Sequence, residues 1–402
     1  MSVQDQLSRL QSAKATLAAA IAGKGVTVPQ AATLDTYGSL VDQISAGGGG
    51  SGVRTCRLVI GTSTAGWTQS DCDVLCTGQG DDDAINSAIQ QIGGMGGGEI
   101  VLLPGTYIAS TPIMVSSPNI VLRGNGPSTV IQRGYSGSDI GVINITSDSC
   151  TVSALITDSS LVSSASSDRE ITIKGINCTI KYCKSINTIG HAIHVTSDNA
   201  TVIYNDASST KGILITGNNP KIIGNNCTSC TMNAIELNNS STNGIVMGNN
   251  CNASNCGISA VTCKSVIICG NQCGNCNDSG ISLERGSDIT VVYNICDTSN
   301  MGISIMESNR LTVQGNRCYD FRTVGVVGDF SASTITDNVC YRSDGLASNY
   351  TEEQQTIWLI EGENNVITGN YIKGKDVTNN AQVSSNTVVN NYTFLSQSGG
   401  ST

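Results

Sequence analysis

Residues 280–296 read GISLERGSDITVVYNIC and contain the two motifs that decide the fold, Gly-Ile at the start and Asn-x-Cys at the end. The first motif returns at spacings of 22, 23, 23, 22 and 23 residues, as Gly212-Ile213, Ala234-Ile235, Gly257-Ile258, Gly280-Ile281, Gly302-Ile303 and Gly325-Val326. The second motif follows within each period, as Asn225/Cys227, Asn249/Cys251, Asn271/Cys273, Asn294/Cys296, Asn316/Cys318 and Asn338/Cys340. Two motifs that stay in phase over this many periods of about 22 residues indicate a solenoid.

Short runs in which apolar and polar residues alternate lie between the motifs, for example Ile281-Ser282-Leu283. Alternation is typical of half-buried strands, and no helical stripe of ten residues fits inside one period. The phased motifs resemble those of right-handed parallel β-helix proteins, the pectate-lyase-like superfamily. This resemblance implies an all-β fold, a right-handed parallel β-helix of about thirteen turns that is near 60 Å long at about 4.8 Å per turn.

The Asn-x-Cys motif has a structural explanation in such a stack. Asparagines at equivalent positions can hydrogen-bond along the stack, and cysteine behaves as a small buried apolar residue. Cys227/Cys230 and Cys273/Cys276 also have the spacing of zinc ligands, but one cysteine of each pair already belongs to the repeat. The total of 17 cysteines is odd and no signal peptide precedes them, which argues against a disulfide framework. We therefore expect no metal and no cofactor.

Composition and charge argue against several classes of protein. A net charge of −10 and a pI of about 4.6 argue against a nucleic-acid-binding surface. No run of 18 apolar residues is present, so no membrane insertion is expected. The start MSVQDQLSRL lacks the basic and apolar regions of a signal peptide, which predicts synthesis in a bacterial host cytoplasm.

Residues 1–46 are predicted to form a small α-helical domain in front of the β-helix. Apolar residues recur at helical spacing over 2–22, and a second helical segment runs over 34–44. The first helix is short and needs a partner, either the second segment or copies of itself in an oligomer. The order helix, Lys24-Gly25-Val26-Thr27-Val28-Pro29 and Leu34-Asp35-Thr36-Tyr37 resembles N-terminal modules of bacteriophage and prophage tail proteins. This resemblance implies that residues 1–46 attach the chain to other virion or tail proteins. The glycine-rich residues 47–53 are predicted to be a flexible linker.

Residues 54–108 are predicted to begin and cap the β-helix. Asp81-Asp82-Asp83 are expected to form the N-cap of a short amphipathic helix, which is followed by a glycine cluster and an apolar strand. This order resembles the start of β-helices of the pectate-lyase superfamily. A calcium site at the aspartates is the alternative, but the spaced ligands of a calcium loop are absent from the sequence. The β-helix is predicted over 109–395, and the polar tail 396–402 is expected to be disordered.

The C-terminal part of the chain is rich in aromatic residues, with nine of the 16 between Tyr319 and Phe394. The repeat period lengthens by ten residues near 344–356, which predicts a loop that protrudes from the solenoid. Tyr341, Tyr350 and Trp358 lie in or beside this loop and are predicted to bind a glycan by stacking on sugar rings. The alternative is that the aromatic residues cap the C-terminal end of the core.

Three carboxylates are candidates for catalysis. Counted from the glycine motif, Glu284 and Asp329 fall at the same position two turns apart, with Glu307 one position later on the turn between. Two turns correspond to about 9.6 Å, near the upper limit for the carboxylates of an inverting glycosidase. Arg285 and Arg310 are nearby candidates for a lyase-type base. The alternative is that these acids only keep an exposed face soluble.

The chain has two histidines, His191 and His194. They are three residues apart in a strand-like run, so we expect their side chains on opposite sides of the strand. This favours a structural role over joint catalysis.

The two resemblances together imply a tail fibre, a tailspike or a similar appendage of a virion, expected as a homotrimer that contacts host-surface polysaccharide through the β-helix. Two alternatives stay open. One is a polysaccharide depolymerase, either a lyase or a glycoside hydrolase, and the other is a structural spacer or virion decoration protein. The β-helix fold alone does not choose among them.

Overall fold

The computed structural model describes residues 56–394 except 137–140, 163–168, 189, 209–210, 344 and 382, together with scattered residues between 11 and 36. The chain divides into two compact units, Met1–Arg54 and Thr55–Thr402. In the first unit the described residues between 11 and 22 are helical, as their apolar spacing predicts. The predicted helix over 34–44 (apart from Thr36), the linker 47–53 and the tail 396–402 lie outside the described residues.

The second unit is built from parallel strands in three sheets that run along one axis. Sheet 1 consists, in spatial order, of Val74–Cys76, Cys56–Thr62, Gly98–Leu102, Ile120–Arg123, Thr151–Ser153, Thr179–Lys181, Thr201–Ile203, Lys221–Ile223, Ile245–Met247, Ile267–Cys269, Thr290–Val292, Thr312–Gln314, Thr334–Thr336, Val366–Thr368 and Thr387–Val389. Sheet 2 consists of Ile113–Val115, Gly141–Ile145, Arg169–Ile173, His191–Val195, Lys211–Ile215, Asn233–Leu237, Cys256–Val261, Ser279–Glu284, Met301–Asn309, Val324–Ser331, Gln355–Glu361 and Thr378–Asn379.

Sheet 3 has two four-stranded parts. The first part contains Gly105–Ala109, Thr129–Arg133, Ile156–Asp158 and Lys184–Ile186. The second part contains Arg317–Tyr319, Val339–Tyr341, Tyr371–Lys373 and Tyr392–Phe394. Parallel bridges of single residues, which run from Lys184 to Arg317, connect the two parts into one face. This arrangement is a parallel β-helix, and the predicted fold class is confirmed.

The number of turns also agrees with the repeat count. Two of the 15 strands of sheet 1, Cys56–Thr62 and Val74–Cys76, precede the first complete turn, and the other thirteen follow one another at one strand per turn. At about 4.8 Å per turn the solenoid is about 60 Å long. The core is a single apolar column between the sheets that extends from the first turn to the last.

One helix, α1 (Asp81–Gly94), covers the N-terminal end of this column. Its buried face consists of Ile85, Ile89 and Ile92, which join the core of the first turn. The helix therefore shields apolar side chains that no preceding turn covers, as the end of a solenoid requires.

The aspartates at the start of α1 are not its N-cap, which corrects the prediction. The N-cap is Gly80, and no side chain caps this end of the helix. Asp81 and Asp82 are buried in the first helical turn and accept hydrogen bonds from backbone N–H groups outside the helix, including those of Ile108 at 3.0 Å and Ser110 at 2.7 Å. Their carboxylates tie the helix to the neighbouring strand and loop, in addition to their favourable interaction with the helix dipole.

A ladder of buried asparagines runs along the corner between sheets 1 and 3. Nine members follow one another, one per turn, namely Asn205, Asn225, Asn249, Asn271, Asn294, Asn316, Asn338, Asn370 and Asn391. In a typical turn, Asn271 Nδ2 donates to Asn294 Oδ1 and to the Val246 carbonyl, both at 2.9 Å. Its Oδ1 accepts from the Asn249 backbone N–H and from Asn249 Nδ2, again at 2.9 Å. Each amide therefore satisfies its buried donors and acceptors through the turns on either side.

The glycine and cysteine motifs pack against each other, which explains why they stay in phase. A Cβ added to Gly280 would lie 2.7 Å from Cys296 Cβ, and one added to Gly302 would lie 2.6 Å from Cys318 Sγ. The cysteine needs a neighbour without a side chain at this point. All 17 cysteines are free thiols, and burial raises the pKa of Cys273 well above its ordinary value. A buried thiol with a raised pKa, such as that of Cys273, is an inert apolar packing group.

The lengthened period near residue 344 is a loop that returns to sheet 2 through Gln355–Glu361. It contains the 3-10 helix Ala347–Asn349, and two other 3-10 helices, Ser63–Ala65 and Gly126–Ser128, lie near the N-terminal end of the solenoid. Among the described residues, no helix has the length and apolar character needed to cross a lipid bilayer.

We expect Asn271→Ala to lower the free energy of unfolding by about 2–4 kcal/mol, because buried polar groups of the two neighbouring turns lose their partners. Urea unfolding followed by circular dichroism measures the change. Asn277→Ala is the matched control, since Asn277 is exposed, and it should change stability by no more than about 0.5 kcal/mol. Equal effects of the two substitutions would show that the ladder does not stabilise the fold.

Candidate functional site

The outer face of sheet 3 carries four tyrosines at its C-terminal end, in two adjacent columns two residues apart, here called the tyrosine strip: Tyr319, Tyr341, Tyr371 and Tyr392. Strand pairing places Tyr319 beside Tyr341 and Tyr371 beside Tyr392. The ring centroids of Tyr319 and Tyr341 are 4.3 Å apart, and those of Tyr341 and Tyr371 are 6.1 Å apart. Tyr392 at the end of the strip is 61% exposed. The predicted ligand-binding residue Tyr341 therefore lies between two other tyrosine rings, those of Tyr319 and Tyr371.

Two cations border the tyrosine strip. The guanidinium of Arg317 lies 5.0 Å from the centre of the Tyr319 ring, and Lys373 Nζ lies 5.6 Å from the centre of the Tyr341 ring. Arg317 is also paired with Asp297, whose hydrogen bond raises the pKa of the guanidinium. A hydrogen bond with Tyr341, followed by burial, raises the pKa of Tyr319 to about 12. Flat rings beside cations and neutral hydroxyls can stack on sugar rings and hydrogen-bond to their substituents.

Tyr350, predicted to bind a ligand at the surface, instead lies in the core. Its side chain is only 9% exposed. Its hydroxyl donates to the Lys373 carbonyl at 2.7 Å and accepts from the Arg342 backbone N–H at 3.0 Å. Its ring centroid lies 6.3 Å from that of Phe321. The prediction is wrong for this residue because the inserted loop folds back and seals the core with this ring.

Trp358 lies on a different face from the tyrosine strip. It belongs to the strand Gln355–Glu361 of sheet 2, where it is paired with Val327 and Thr378 and is partly exposed. Its indole Nε1 is buried and has no hydrogen-bond partner among the described residues. The three predicted binding residues are thus distributed over sheet 3, the core and sheet 2.

The predicted catalytic carboxylates are only partly grouped. A bulge between Ile305 and Ser308 shifts the register of sheet 2. Asp329 lies within charge interaction of Glu307 and of Glu361, which was not among the candidates, and burial followed by the charges of Glu361 and Glu307 raises the pKa of Asp329. A carboxyl group with a raised pKa beside other carboxylates has the character of a general acid, but catalysis at this cluster stays a prediction.

The other predicted catalytic residues, Glu284, Arg285 and Arg310, each form an ion pair. Glu284 is paired with Arg285 at 2.6 Å. Arg310 makes two hydrogen bonds to Asp288, at 2.7 and 2.9 Å, and this pairing raises the pKa of Arg310. Both guanidinium groups are therefore held as charge partners of neighbouring carboxylates, which argues against the predicted role as a base.

A groove of about 400 Å³ lies on the outer face of sheet 2. The titratable side chains that line it are Arg169, His191, His194, Lys211 and Glu236. Strand pairing stacks His191 between Arg169 and Lys211, while His194 and Glu236 both pair with Leu214 on the strand between them. We therefore call this feature the histidine groove.

The two histidines lie on the same side of their strand, contrary to expectation. Their ring centroids are 6.1 Å apart. The reason is a bend at which Ala192 and Ile193 are both buried in the core, so that the alternation of the strand is broken between the two histidines. Only the fold reveals this bend, because the sequence run alone is consistent with a regular strand.

The histidines are neutral near physiological pH. Burial, followed by the charges of Lys211 and Arg169, lowers the pKa of His191 to about 4. Burial and the charge of Arg169 lower the pKa of His194 to about 3. His194 is 6% exposed, and its Nδ1 has no hydrogen-bond partner in the described part of the chain. A neutral imidazole in a groove with cations and a carboxylate is suited to proton transfer.

Comparison with known protein families supports the architecture. A family model described as "Right handed beta helix region" matches residues 170–300, and one described as "Periplasmic copper-binding protein (NosD)" matches residues 248–398. The protein is a right-handed parallel β-helix. Residues 248–398 contain no histidine, and within the described residues no cluster of three or more His, Cys, Asp or Glu side chains can hold a metal ion. A comparison with curated proteins gives no match.

Solved structures with low sequence identity share the fold. The mannuronan C-5 epimerase AlgE6 A-module of Azotobacter vinelandii has a TM-score of 0.58 and 15% identity, over 79% of this chain and 97% of that one. The DFA-IIIase of Arthrobacter chlorophenolicus has a TM-score of 0.60 and 14% identity, over 82% of this chain and 98% of that one. The Dettilon tailspike protein has a TM-score of 0.54 and 14% identity, over 77% of this chain and 64% of that one. At these identities the comparisons establish the β-helix only.

We expect Tyr350→Phe to lower the free energy of unfolding by about 1–3 kcal/mol, because the hydroxyl that joins the loop to Lys373 is lost. Tyr350→Ala should cost about 3–5 kcal/mol through the cavity that the ring leaves. Thermal and urea unfolding measure both. Leu346→Ala, an exposed change in the same loop, is the control. Unchanged stability of Tyr350→Ala would restore the surface role predicted from the sequence.

We expect His194 to destabilise the fold as the pH falls. The unfolded imidazole titrates near 6.5, whereas the folded pKa is about 3, so the unfolded chain binds the proton first. The stability is therefore complete above pH 6.5 and is lost progressively toward pH 3. His194→Gln should flatten this loss relative to the parent, as measured by urea midpoints between pH 7 and pH 4. An imidazole that titrates near 6.5 by NMR would contradict this assignment.

Proposed function

We propose that this protein is a tail fibre or tailspike-type protein of a bacteriophage or phage-tail-like particle, which binds a host-surface glycan through its β-helix. The observation that carries the proposal is the tyrosine strip with its bordering cations, Arg317 and Lys373. Aromatic side chains that stay exposed on a regular solenoid face contribute nothing to its core, whereas they offer stacking surfaces to sugars. The strip lies at the C-terminal end of the solenoid, the end opposite helix α1.

The structural neighbours are consistent with a carbohydrate ligand. One is a phage tailspike, and the other two are carbohydrate-active enzymes, a mannuronan C-5 epimerase and a DFA-IIIase. Their common feature with this chain is a long β-helix with an accessible face. We transfer the ligand class, a carbohydrate, to this chain and leave each neighbour's own reaction aside.

Residues 1–46 are proposed to attach the protein to other proteins of the virion, on the basis of their resemblance to tail-protein modules. We propose a homotrimer in which the solenoids meet through the exposed face of sheet 1. Met247, Ile267 and Val366 on this face are more than a third exposed and apolar, which favours burial between subunits. The acidic composition favours neither nucleic acid nor membrane as a partner.

A second candidate function is a polysaccharide lyase, epimerase or hydrolase that works in the histidine groove. The observation that favours it is the nearly buried, neutral His194 with an unpartnered Nδ1 beside Arg169 and Lys211. A neutral imidazole is a competent base, and the cations would stabilise a carboxylate of the substrate. The structural spacer, the third possibility, is favoured by no particular observation.

We expect Tyr341→Ala and Tyr371→Ala to weaken glycan binding by about tenfold or more each, because a buried stacking ring contributes about 1.5–3 kcal/mol. The full-length protein is applied to an array of purified bacterial capsule and O-antigen polysaccharides, and the variants are titrated with the polysaccharide that binds. Leu346→Ala is the control, because Leu346 is exposed but lies outside the strip.

The same mixtures separate binding from catalysis. Unchanged polysaccharide together with loss of binding in the strip variants supports the binding protein. New reducing ends or unsaturated products that disappear in His194→Gln indicate the enzyme instead. If no polysaccharide binds and none is altered, the proposed function is wrong.

A further inference from the structure

The corner of the solenoid in front of the asparagine ladder has an unusual backbone. The residue before each of the nine ladder positions, and Tyr182 at the equivalent position one turn earlier, adopt a left-handed conformation with φ between 52° and 69°. These residues are Tyr182, Tyr204, Gly224, Gly248, Gly270, Tyr293, Gly315, Asp337, Gly369 and Asn390. The corner therefore requires a backbone that glycine adopts without strain and that aspartate and asparagine tolerate.

Tyrosine is out of place in this conformation. A bulky side chain at positive φ is a genuine outlier, and such strain concentrates at functional sites. Three turns nevertheless carry tyrosine here, at φ values of 56°, 54° and 55° for Tyr182, Tyr204 and Tyr293. Glycine in the neighbouring turns shows that the fold itself does not need the ring.

The three rings are exposed rather than used in the core. Tyr182, Tyr204 and Tyr293 are 58%, 53% and 63% exposed. Tyr182 and Tyr204 stack with centroids 5.7 Å apart and planes within 10° of parallel. A Cβ on the following glycine would lie 2.5 Å from the Tyr204 ring at Gly224, and 2.6 Å from the Tyr293 ring at Gly315. The rings of Tyr204 and Tyr293 are thus each accommodated by a glycine in the next turn.

Between Tyr204 and Tyr293 the corner carries no side chain, because glycine occupies this position in each of the intervening turns. A side chain on Gly248 or Gly270 would meet no atom within 4 Å. Tyr204 and Tyr293 are four turns apart, about 19 Å along the axis. On the sheet 3 side this section is bordered by the amides of Asn226, Asn250 and Gln272, which follow one another from turn to turn. Asn226 Nδ2 already donates to Asp206 and to Ser208, so this side chain offers its oxygen as an acceptor, whereas the uncharged amides of Asn250 and Gln272 can donate as well.

We propose that this corner binds a polysaccharide segment of uncharged sugar units, laid along the solenoid axis. Sugar rings stack on Tyr182 and Tyr204 at one end and on Tyr293 at the other, and hydroxyl groups hydrogen-bond to the amides between them. The inference rests on the proposed function and extends the glycan surface from the C-terminal tyrosine strip toward the middle of the solenoid. Sheet 3 and its corner then form one elongated binding face.

The test uses full-length Tyr204→Gly and Tyr293→Gly, titrated with the array polysaccharide that the parent binds. Glycine removes the ring and also relieves the left-handed backbone, so each variant should bind about tenfold or more weakly while its melting temperature stays within about 2 °C of the parent. Asp337→Gly is the matched control, because it makes the same backbone change at the same corner without removing a ring. It should bind like the parent.

Three results overturn the inference. If Tyr204→Gly and Tyr293→Gly bind like the parent while Tyr341→Ala does not, the glycan site is confined to the tyrosine strip and the proposed function stands. If both glycine variants melt well below the parent, the rings have a structural role. If the parent binds no polysaccharide, the proposed function itself is wrong and this inference falls with it.

Discussion

Nine asparagine side chains stacked along one corner hold the turns of the solenoid in register, because each amide is hydrogen-bonded to the turns on either side. The ladder is buried, so a shift by one residue would leave polar groups without partners in an apolar column. The residue in front of each amide adopts a left-handed backbone. The phase of the strands from one turn to the next follows from the hydrogen bonds of the ladder.

The glycine motif packs against the cysteine of the Asn-x-Cys motif, which lies two residues after the ladder asparagine. Gly280 and Gly302 give room to Cys296 and Cys318 of their own repeat units, so a side chain at either position would clash with that cysteine and with the backbone of the next turn. Because the interior is close-packed, such a change cannot be absorbed locally. The two motifs therefore stay in phase because glycine and cysteine must pack against each other. The free thiols occupy this space as apolar groups.

We expect functional residues at surface positions where the sequence departs from the repeat and the core is unchanged. The tyrosine strip, the strained corner tyrosines and the histidine groove all lie on the outer surface of the solenoid, outside the apolar core. A regular solenoid presents such positions at every turn, and only some of them carry aromatic or titratable side chains. The strain at Tyr204 and Tyr293 is the clearest case, because glycine occupies the same position in turns between them.

The sequence by itself determined the solenoid, the number of its turns, the asparagine ladder and the burial of cysteine, since all of these follow from a period of about 22 residues. It also placed Tyr341 in an aromatic region and predicted the loop near residue 344. Only the tertiary structure decided which side chains meet. Tyr350 entered the core because its loop folds back, the bulge after Ile305 changed the neighbours of Asp329, and a bend at Ala192 and Ile193 brought two histidines to one face. Periodicity predicts an average turn, whereas bulges, bends and loop closure are departures from it, and their energies depend on contacts between residues distant in sequence.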